Sequence, residues 1–255
     1  MATLLSDKAY HRIYQMLVSR ELKVGQKISE SRLAKTLGIG SRTPVREAIH
    51  RLRNDGLLVQ KANSGTFVAT PNRQQVVEMY EVRLALETML VAKAIRLMRP
   101  RQIVQLQEYV DQMHEYVRAF RQSGRECMSV SEQQAFLAAD LAFHELIIDA
   151  GRNSNAAKIL SDVLLRQRAF GLNSHRRDLH HVAWTWLYHA RILAAIRRRD
   201  AVAARRMLRR HIQFSMREAL FVIDSGGLPQ QAPRKPRSNQ RADRLSAPQI
   251  SNKED

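Results

Sequence analysis

The chain is poor in cysteine, in long apolar runs and in acid. It has one cysteine, Cys127, in 255 residues, which excludes an internal disulfide framework and fits a reducing compartment. No apolar run approaches the roughly 18–20 residues that a membrane span needs. Met1 to Asp7 show no basic segment leading into an apolar one, so no secretory signal is expected and the expected location is the cytoplasm. Acid is short: 24 Asp+Glu face 42 Lys+Arg, a formal net charge of +18. Familiar catalytic signatures are missing too. His144-Glu145 runs into Leu146, Ile147 and Ile148, without the second histidine of HExxH, and there is no Gly-rich phosphate loop and no GxSxG turn.

What is present is ample for folding. Apolar residues make up 44% of the chain, which reads as globular. The positive surplus points to an anionic partner, nucleic acid before an anionic membrane surface. It is spread along the chain: +7 over residues 1–70, +9 over 71–223 and +2 over 224–255. Two breaks divide these parts. Thr70-Pro71-Asn72 separates a short β-like stretch from a long helical pattern, and Asp224-Ser225-Gly226-Gly227-Leu228-Pro229 ends that pattern. Residues 224–255, rich in Pro, Gln, Ser, Arg and Asn, read as a disordered basic tail.

The first 70 residues read as three helices and a hairpin. Tyr10, Ile13, Tyr14 and Leu17 share one apolar face. Ser29 is placed to cap a short helix carrying Leu33 and Leu37, which Gly38 ends. Thr43-Pro44 opens a third helix, with Thr43 as N-cap and Pro44 at its first position. Val45, Ile49 and Leu52 line one side of it, and Arg42, Arg46, Arg51 and Arg53 the other. Leu57–Gln60 and Thr66–Ala69 form a hairpin across Lys61-Ala62-Asn63-Ser64-Gly65. Helix, turn, helix and hairpin together are a winged helix-turn-helix. Such a fold places a helix in the major groove, where arginine pairs with guanine, and hydroxyls at a helix start hold phosphates. Ser41, Arg42, Thr43 and Arg46 cluster at that start. The competing reading is a solvated basic helix face.

Residues 73–222 read as six helices, about 73–98, 100–123, 130–150, 154–172, 175–198 and 200–222. Four side chains stand out in them. Asp140 and His144 are four apart on a face shared with Phe136, Phe143 and Ile147, so the pair points inward. His189 shares a stripe with Ile192 and Ile196, and His211 one with Ala204, Met207, Leu208 and Phe214. Three helices thus each turn a metal-ligand type toward a core. Imidazole with carboxylate suits Zn, Ni, Mn or Fe. On spacing alone, ordinary packed or half-exposed histidines remain the stronger reading.

Leu33-Ala34, Leu37-Gly38, Ser41-Arg42-Thr43-Pro44-Val45-Arg46-Glu47-Ala48, Arg51-Leu52 and Gly56-Leu57 resemble the GntR family of bacterial transcription regulators. The resemblance implies that Arg42 and Arg46 contact bases or phosphates, Ser41 and Thr43 contact phosphates, and Gly65 at the wing tip approaches the minor groove. Two departures stand out: Val24-Gly25 where the family has Pro-Gly, and one extra residue, Gly40, in the turn before Ser41. Asp140, His144, His189 and His211, with Tyr188-His189-Ala190-Arg191-Ile192-Leu193 and His211-Ile212, resemble the all-helical FCD effector domain, in length its VanR-like branch. That resemblance implies a divalent ion on those four residues, helping to bind a small carboxylate effector. Tyr80-Glu81-Val82-Arg83 and Glu87 resemble the first effector helix. Arg83 suits either an effector carboxylate or an internal ion pair to Glu87 at i+4.

The expectation is therefore a mainly α protein: a winged helix-turn-helix over 1–70, an all-helical effector and dimerisation domain over 71–223, and the tail. Its function is expected to be that of a homodimeric repressor, binding a double-stranded operator under control of a carboxylate and a metal. The competing classes are a metal-dependent hydrolase and a non-specific basic DNA-binding protein.

Overall fold

A computed structural model describes residues 2–172 and 178–225. The expected tail beyond Ser225 lies outside the described residues. Among those described, nine helices and one small sheet follow in the order α1 (Ala2–Val18), β1 (Lys27–Ile28), α2 (Glu30–Thr36), α3 (Arg42–Asn54), β2 (Leu58–Lys61), β3 (Gly65–Val68), α4 (Arg73–Leu97), α5 (Pro100–Ser123), α6 (Val130–Ala150), α7 (Ser154–Ala169), α8 (Leu179–Arg197) and α9 (Ala201–Asp224). The first six elements form the winged helix-turn-helix. The last six form a helical bundle in which α4 packs on α6, α7 and α9, while α5 and α8 close the other side.

Local chemistry sets the helix boundaries. Asn72 and Ser129 open α4 and α6 with reciprocal capping boxes through Gln75 and Glu132. Asn153, Asp178 and Asp200 cap α7, α8 and α9 with their side-chain oxygens, each such cap contributing about 0.5–2 kcal/mol. Proline stands at the start of α5, where no intrahelical N–H bond is lost. The expected helices therefore agree with the observed ones to within a few residues. The largest difference is at α7, which stops at Ala169, while α8 runs from Leu179 and the expected start at 175 lies outside the described residues.

The start of α3 differs in detail. The N-cap is Ser41, whose backbone is extended and whose hydroxyl oxygen accepts the Thr43 N–H at 3.3 Å, so Arg42 is the first helical residue. Pro44 then sits third, still among the first four residues, whose N–H groups have no helical partner. The extra Gly40 is exposed and meets no neighbour, so the turn absorbs it without disturbing that cap. The hairpin is one residue out from expectation, and it gains an unforeseen strand. The two residues of β1 pair antiparallel with β3, giving the order β1-β3-β2. Two residues carry too little pattern to be read from sequence.

Both parts share one continuous apolar cluster. Ile13, Leu17, Val45, Ile49 and Leu52 bury the α1–α3 seam, and Val163 and Phe170 carry the cluster into the bundle. At the bend between α6 and α7, Gly151 lies tight against Leu90. A Cβ there would approach the Leu90 side chain to 2.7 Å and the Ile148 carbonyl to 3.2 Å. Gly151→Ala should therefore destabilise the fold by about 1–3 kcal/mol, a fall in melting temperature of roughly 3–10 °C. A thermal scan showing no change would mean that α4 moves aside freely.

Candidate metal and nucleic-acid sites

Three helices of the bundle bring Asp140 and His144 (α6), His189 (α8) and His211 (α9) together, with one ligand atom of each within 4.8 Å of every other. The three imidazoles are buried, at 2%, 0% and 1% exposure. His144 Nδ1–H donates to the Glu87 carboxylate at 2.7 Å, and His189 Nδ1–H donates to the Thr185 carbonyl at 2.7 Å. Both bonds put the ring proton on Nδ1 and leave Nε2 with its lone pair. His144 Nε2 faces His211 Nε2 at 3.1 Å. His189 Nε2 lies 3.3 Å from an Asp140 carboxylate oxygen, yet it has no hydrogen bond of acceptable geometry, nor has His211 Nδ1.

This donor set fits a divalent cation. Two facing Nε2 atoms approach this closely only with a proton or a cation between them, and a buried Nε2 without a hydrogen bond is costly unless it has another partner. Burial lowers the His189 pKa to about 4 against the pull of Asp140. Burial, joined by the neighbouring histidines and Arg83, lowers that of His211 well below the ordinary value. Both rings are thus neutral near pH 7, the form that ligates a metal.

Glu87 completes the arrangement. Its other oxygen accepts from Arg83 Nε at 2.6 Å, and Arg83 also donates to Gln167 Oε1 at 3.1 Å. Burial would raise the Glu87 pKa, but Arg83 and then His144 hold it down to about 2. Of the two readings of Arg83, the internal pair with Glu87 is formed, and Arg83 also borders a cavity of about 580 Å³ together with Asp140 and His144. Sequence reasoning weighed Glu87 only as a partner of Arg83. Its bond to His144 spans 57 residues and leaves no local signal, as do the contacts of Thr185 and Gln167.

The residues expected to meet DNA lie at the start of α3 and at the tip of the wing. Arg42, Thr43 and Arg46 are exposed along the start of α3, whereas Pro44, Val45, Ala48, Ile49 and Leu52 are buried beneath them. Ser41 uses its oxygen as cap acceptor and keeps its O–H to donate. Arg46 pairs with Glu30 at 3.2 Å, an exposed contact worth about 0–1 kcal/mol and so readily exchanged. Gly65 opens β3 at φ +100°, a backbone region that favours glycine, with the Lys27 side chain against it. Arg51 does not join this group. It pairs with Asp7 and stacks over the Tyr10 ring at 4.5 Å.

Comparison with known proteins bears on both sites. Residues 5–68 match the bacterial regulatory proteins of the gntR family, and residues 78–214 match the FCD domain. The Nta operon transcriptional regulator of Aminobacter aminovorans is 30% identical over 209 residues, 82% of this chain and 91% of that protein. YdhC of Bacillus subtilis, an uncharacterized HTH-type transcriptional regulator, is 24% identical over 85% of this chain and 92% of its own length. Among solved structures, E. coli McbR/YncC superposes with a TM-score of 0.67 at 21% identity, covering 82% of this chain and 93% of that one. A putative GntR regulator from Rhodococcus sp. RHA1 also reaches 0.67, at 18% identity, over 85% and 97% of the two chains. At such identities the superpositions establish the fold.

Zinc or nickel at a hundredfold excess over its dissociation constant should raise the melting temperature of the metal-stripped protein by about 5–11 °C. His189→Ala and His211→Ala should each abolish that metal-dependent rise, whatever they do to the starting value. An equal rise in both variants would place the ion elsewhere.

Proposed function

The chain belongs to the GntR family of bacterial transcription regulators, with an FCD effector-binding domain behind its DNA-binding domain, and from that premise we propose that it is a metal-dependent, carboxylate-responsive repressor. The family is one of regulators, not of enzymes. The observation that carries the finer reading is the cavity of about 580 Å³ in which Asp140 and His144 meet Arg83. A pocket of that size suits a small organic ligand, for which about 300–1,000 Å³ is usual.

Asp140, His144, His189 and His211 would hold the ion, which supplies a Lewis-acidic position for a carboxylate oxygen. Zn, Ni, Mn and Fe all suit the donors. Glu87 and the Thr185 carbonyl hold two of the rings in the tautomer that presents Nε2. Arg83 keeps one edge toward Glu87 and Gln167 and borders the cavity, where its charge favours an anion. The six helices α4–α9 suit the shorter, VanR-like branch.

On the DNA side, Arg42 and Arg46 read base edges or phosphates, Ser41 and Thr43 hold phosphates, and Gly65 lets the wing approach the minor groove. Residues 1–70 act as the DNA-binding domain and 71–223 as the effector and dimerisation domain. A homodimer presents two α3 helices about 34 Å apart, one turn of a pseudo-palindromic operator. The ligand acts by differential affinity, favouring the inter-domain arrangement that releases DNA. Among the described residues no helix is long and apolar enough to cross a membrane, in keeping with a cytoplasmic regulator.

Footprinting should reveal two protected half-sites, and Arg46→Ala should weaken operator binding by about 1–3 kcal/mol, roughly 5–150-fold. Uniform, salt-sensitive coverage would instead favour a non-specific basic binder. A His144→Ala/His189→Ala double variant should still bind the operator but no longer release it on addition of a carboxylate. Release that survives in the double variant would overturn the metal-site reading.

A further inference from the structure

The charge of the helical bundle is concentrated in one place. Residues 93–101 and 197–217 hold 12 of the 24 basic residues of 71–223 and one of its 15 acids, a net +11, which leaves the rest of that part at −2. The two segments meet at one end of the bundle, where Arg199, between α8 and α9, donates to the Ile95 carbonyl near the end of α4. Arg96, Arg99, Arg101, Arg197 and Arg198 lie within a few residues of that junction and are exposed. The single acid, Asp200, caps α9. The other end of α9 is tied by Asp224 to Arg73, where α4 leaves the winged domain. The basic end is therefore the far one.

From it a ridge runs along α9. Arg205, Arg206, Arg209, Arg210 and Arg217 are all exposed, and the helical period puts them in one sector of about 140° along about 18 Å. His211 lies on the opposite side, buried in the metal cluster. Among the described residues, no acid pairs with any of the five. Folding alone disfavours this pattern. Arg205 and Arg209, and Arg206 and Arg210, are like charges at i and i+4, which destabilise a helix, and no acid stands between them and Glu218. Elsewhere the bundle mixes its signs, as where Glu115 meets Arg118 on α5. A merely solvated face is served as well by mixed charge, so the single sign needs another account.

We propose that this ridge is a second DNA-binding surface, which takes the phosphate backbone of a duplex segment other than the one read by α3. Arginine suits phosphate through its planar fork of donors. One strand carries a charge about every 3.4 Å, so the ridge faces about five phosphates. Such contacts are independent of sequence. Protein partners are gripped through a desolvated apolar or aromatic centre, and between these arginines the sector offers only Gln213 and the half-buried Met216. Because the ridge lies toward the end of α9 away from the winged domain, a protein bound at its operator tethers a neighbouring stretch of DNA. The tethering rests on the reading of α3 as the operator helix; the affinity of the ridge for DNA does not.

The test uses the full chain and a fluorescent duplex of unrelated sequence. Replacing Arg205, Arg206, Arg209 and Arg210 together by Gln should weaken its binding about tenfold or more at low salt and reduce the salt slope by about 3–4. Replacing the same four by Lys should keep the affinity within about threefold, because the charge is kept. Arg197→Gln with Arg198→Gln, on the turn before α9, should weaken the same binding and serves if the fourfold Gln variant does not fold. Operator held on beads should retain the unrelated duplex when loaded with the unaltered protein and lose it with the Gln variant, while the operator footprint stays the same. Unchanged affinity and salt slope in both Gln variants, or no retention of a second duplex by the unaltered protein, would overturn this inference. So would a Gln variant that binds DNA as before but sediments as a smaller species, which would assign the ridge to an acidic face of a second copy. If no operator footprint is found and the unrelated duplex still separates Gln from Lys variants, the operator reading fails and the ridge stands.

Discussion

Glu87 is the group on which the site depends. It is buried to 1% exposure, and each of its oxygens has a separate task, one on Arg83 and one on His144. Taking a carboxylate and a guanidinium out of water costs several kcal/mol per ion, and their attraction offsets this only where the geometry is good and the remaining hydrogen bonds are made. Here Arg83 also reaches Gln167, and Glu87 also reaches His144. The chain α7–Arg83–Glu87–His144 therefore ties three helices together through polar contacts inside an apolar bundle. Its return is directional: it turns one imidazole nitrogen toward the other ligands, which packing alone would leave free to rotate.

The same burial explains why the histidines suit a cation. A solvated histidine would be partly protonated near its usual pKa. At His189 and His211 desolvation disfavours the charged ring, and the neutral rings are left in a space that offers them few other partners. Arg83, matched by Glu87, borders a cavity together with Asp140 and His144.

Much of this was legible in the residues. Asp140 and His144 are four apart, and the apolar stripes containing His189 and His211 both read inward, so the three helices and their facing sides followed from period alone. The cap at Ser29 gave a boundary because an oxygen in the right place satisfies N–H groups that nothing else reaches. Other features had no such signal. Glu87 and His144 meet across 57 residues. Strand β1 is two residues long. The choice of Ser41 over Thr43 as cap turns on a backbone angle, since both side chains could serve. That α1 walls the cavity depends on how two domains pack, which no periodicity encodes.

The net charge of +18 takes on a different meaning once its carriers are placed. Arg51 lies on α3, but it is committed to Asp7 and the Tyr10 ring. Arg83 is committed to Glu87, and Arg199 donates to the Ile95 carbonyl at the end of α4. These cations hold the fold and add nothing local to a DNA surface. Arg46 is intermediate, since its pair with Glu30 is exposed and weak enough for a phosphate or a guanine to displace. Arg12, Arg20 and Arg168 surround a cavity instead of a groove-facing helix. These arginines therefore divide by geometry into three kinds: charge that anchors helices, charge that α3 exposes, and charge that lines a cavity. Only the second kind can discriminate one DNA sequence from another, because base edges are read by a few placed side chains and the total charge sets only the background attraction.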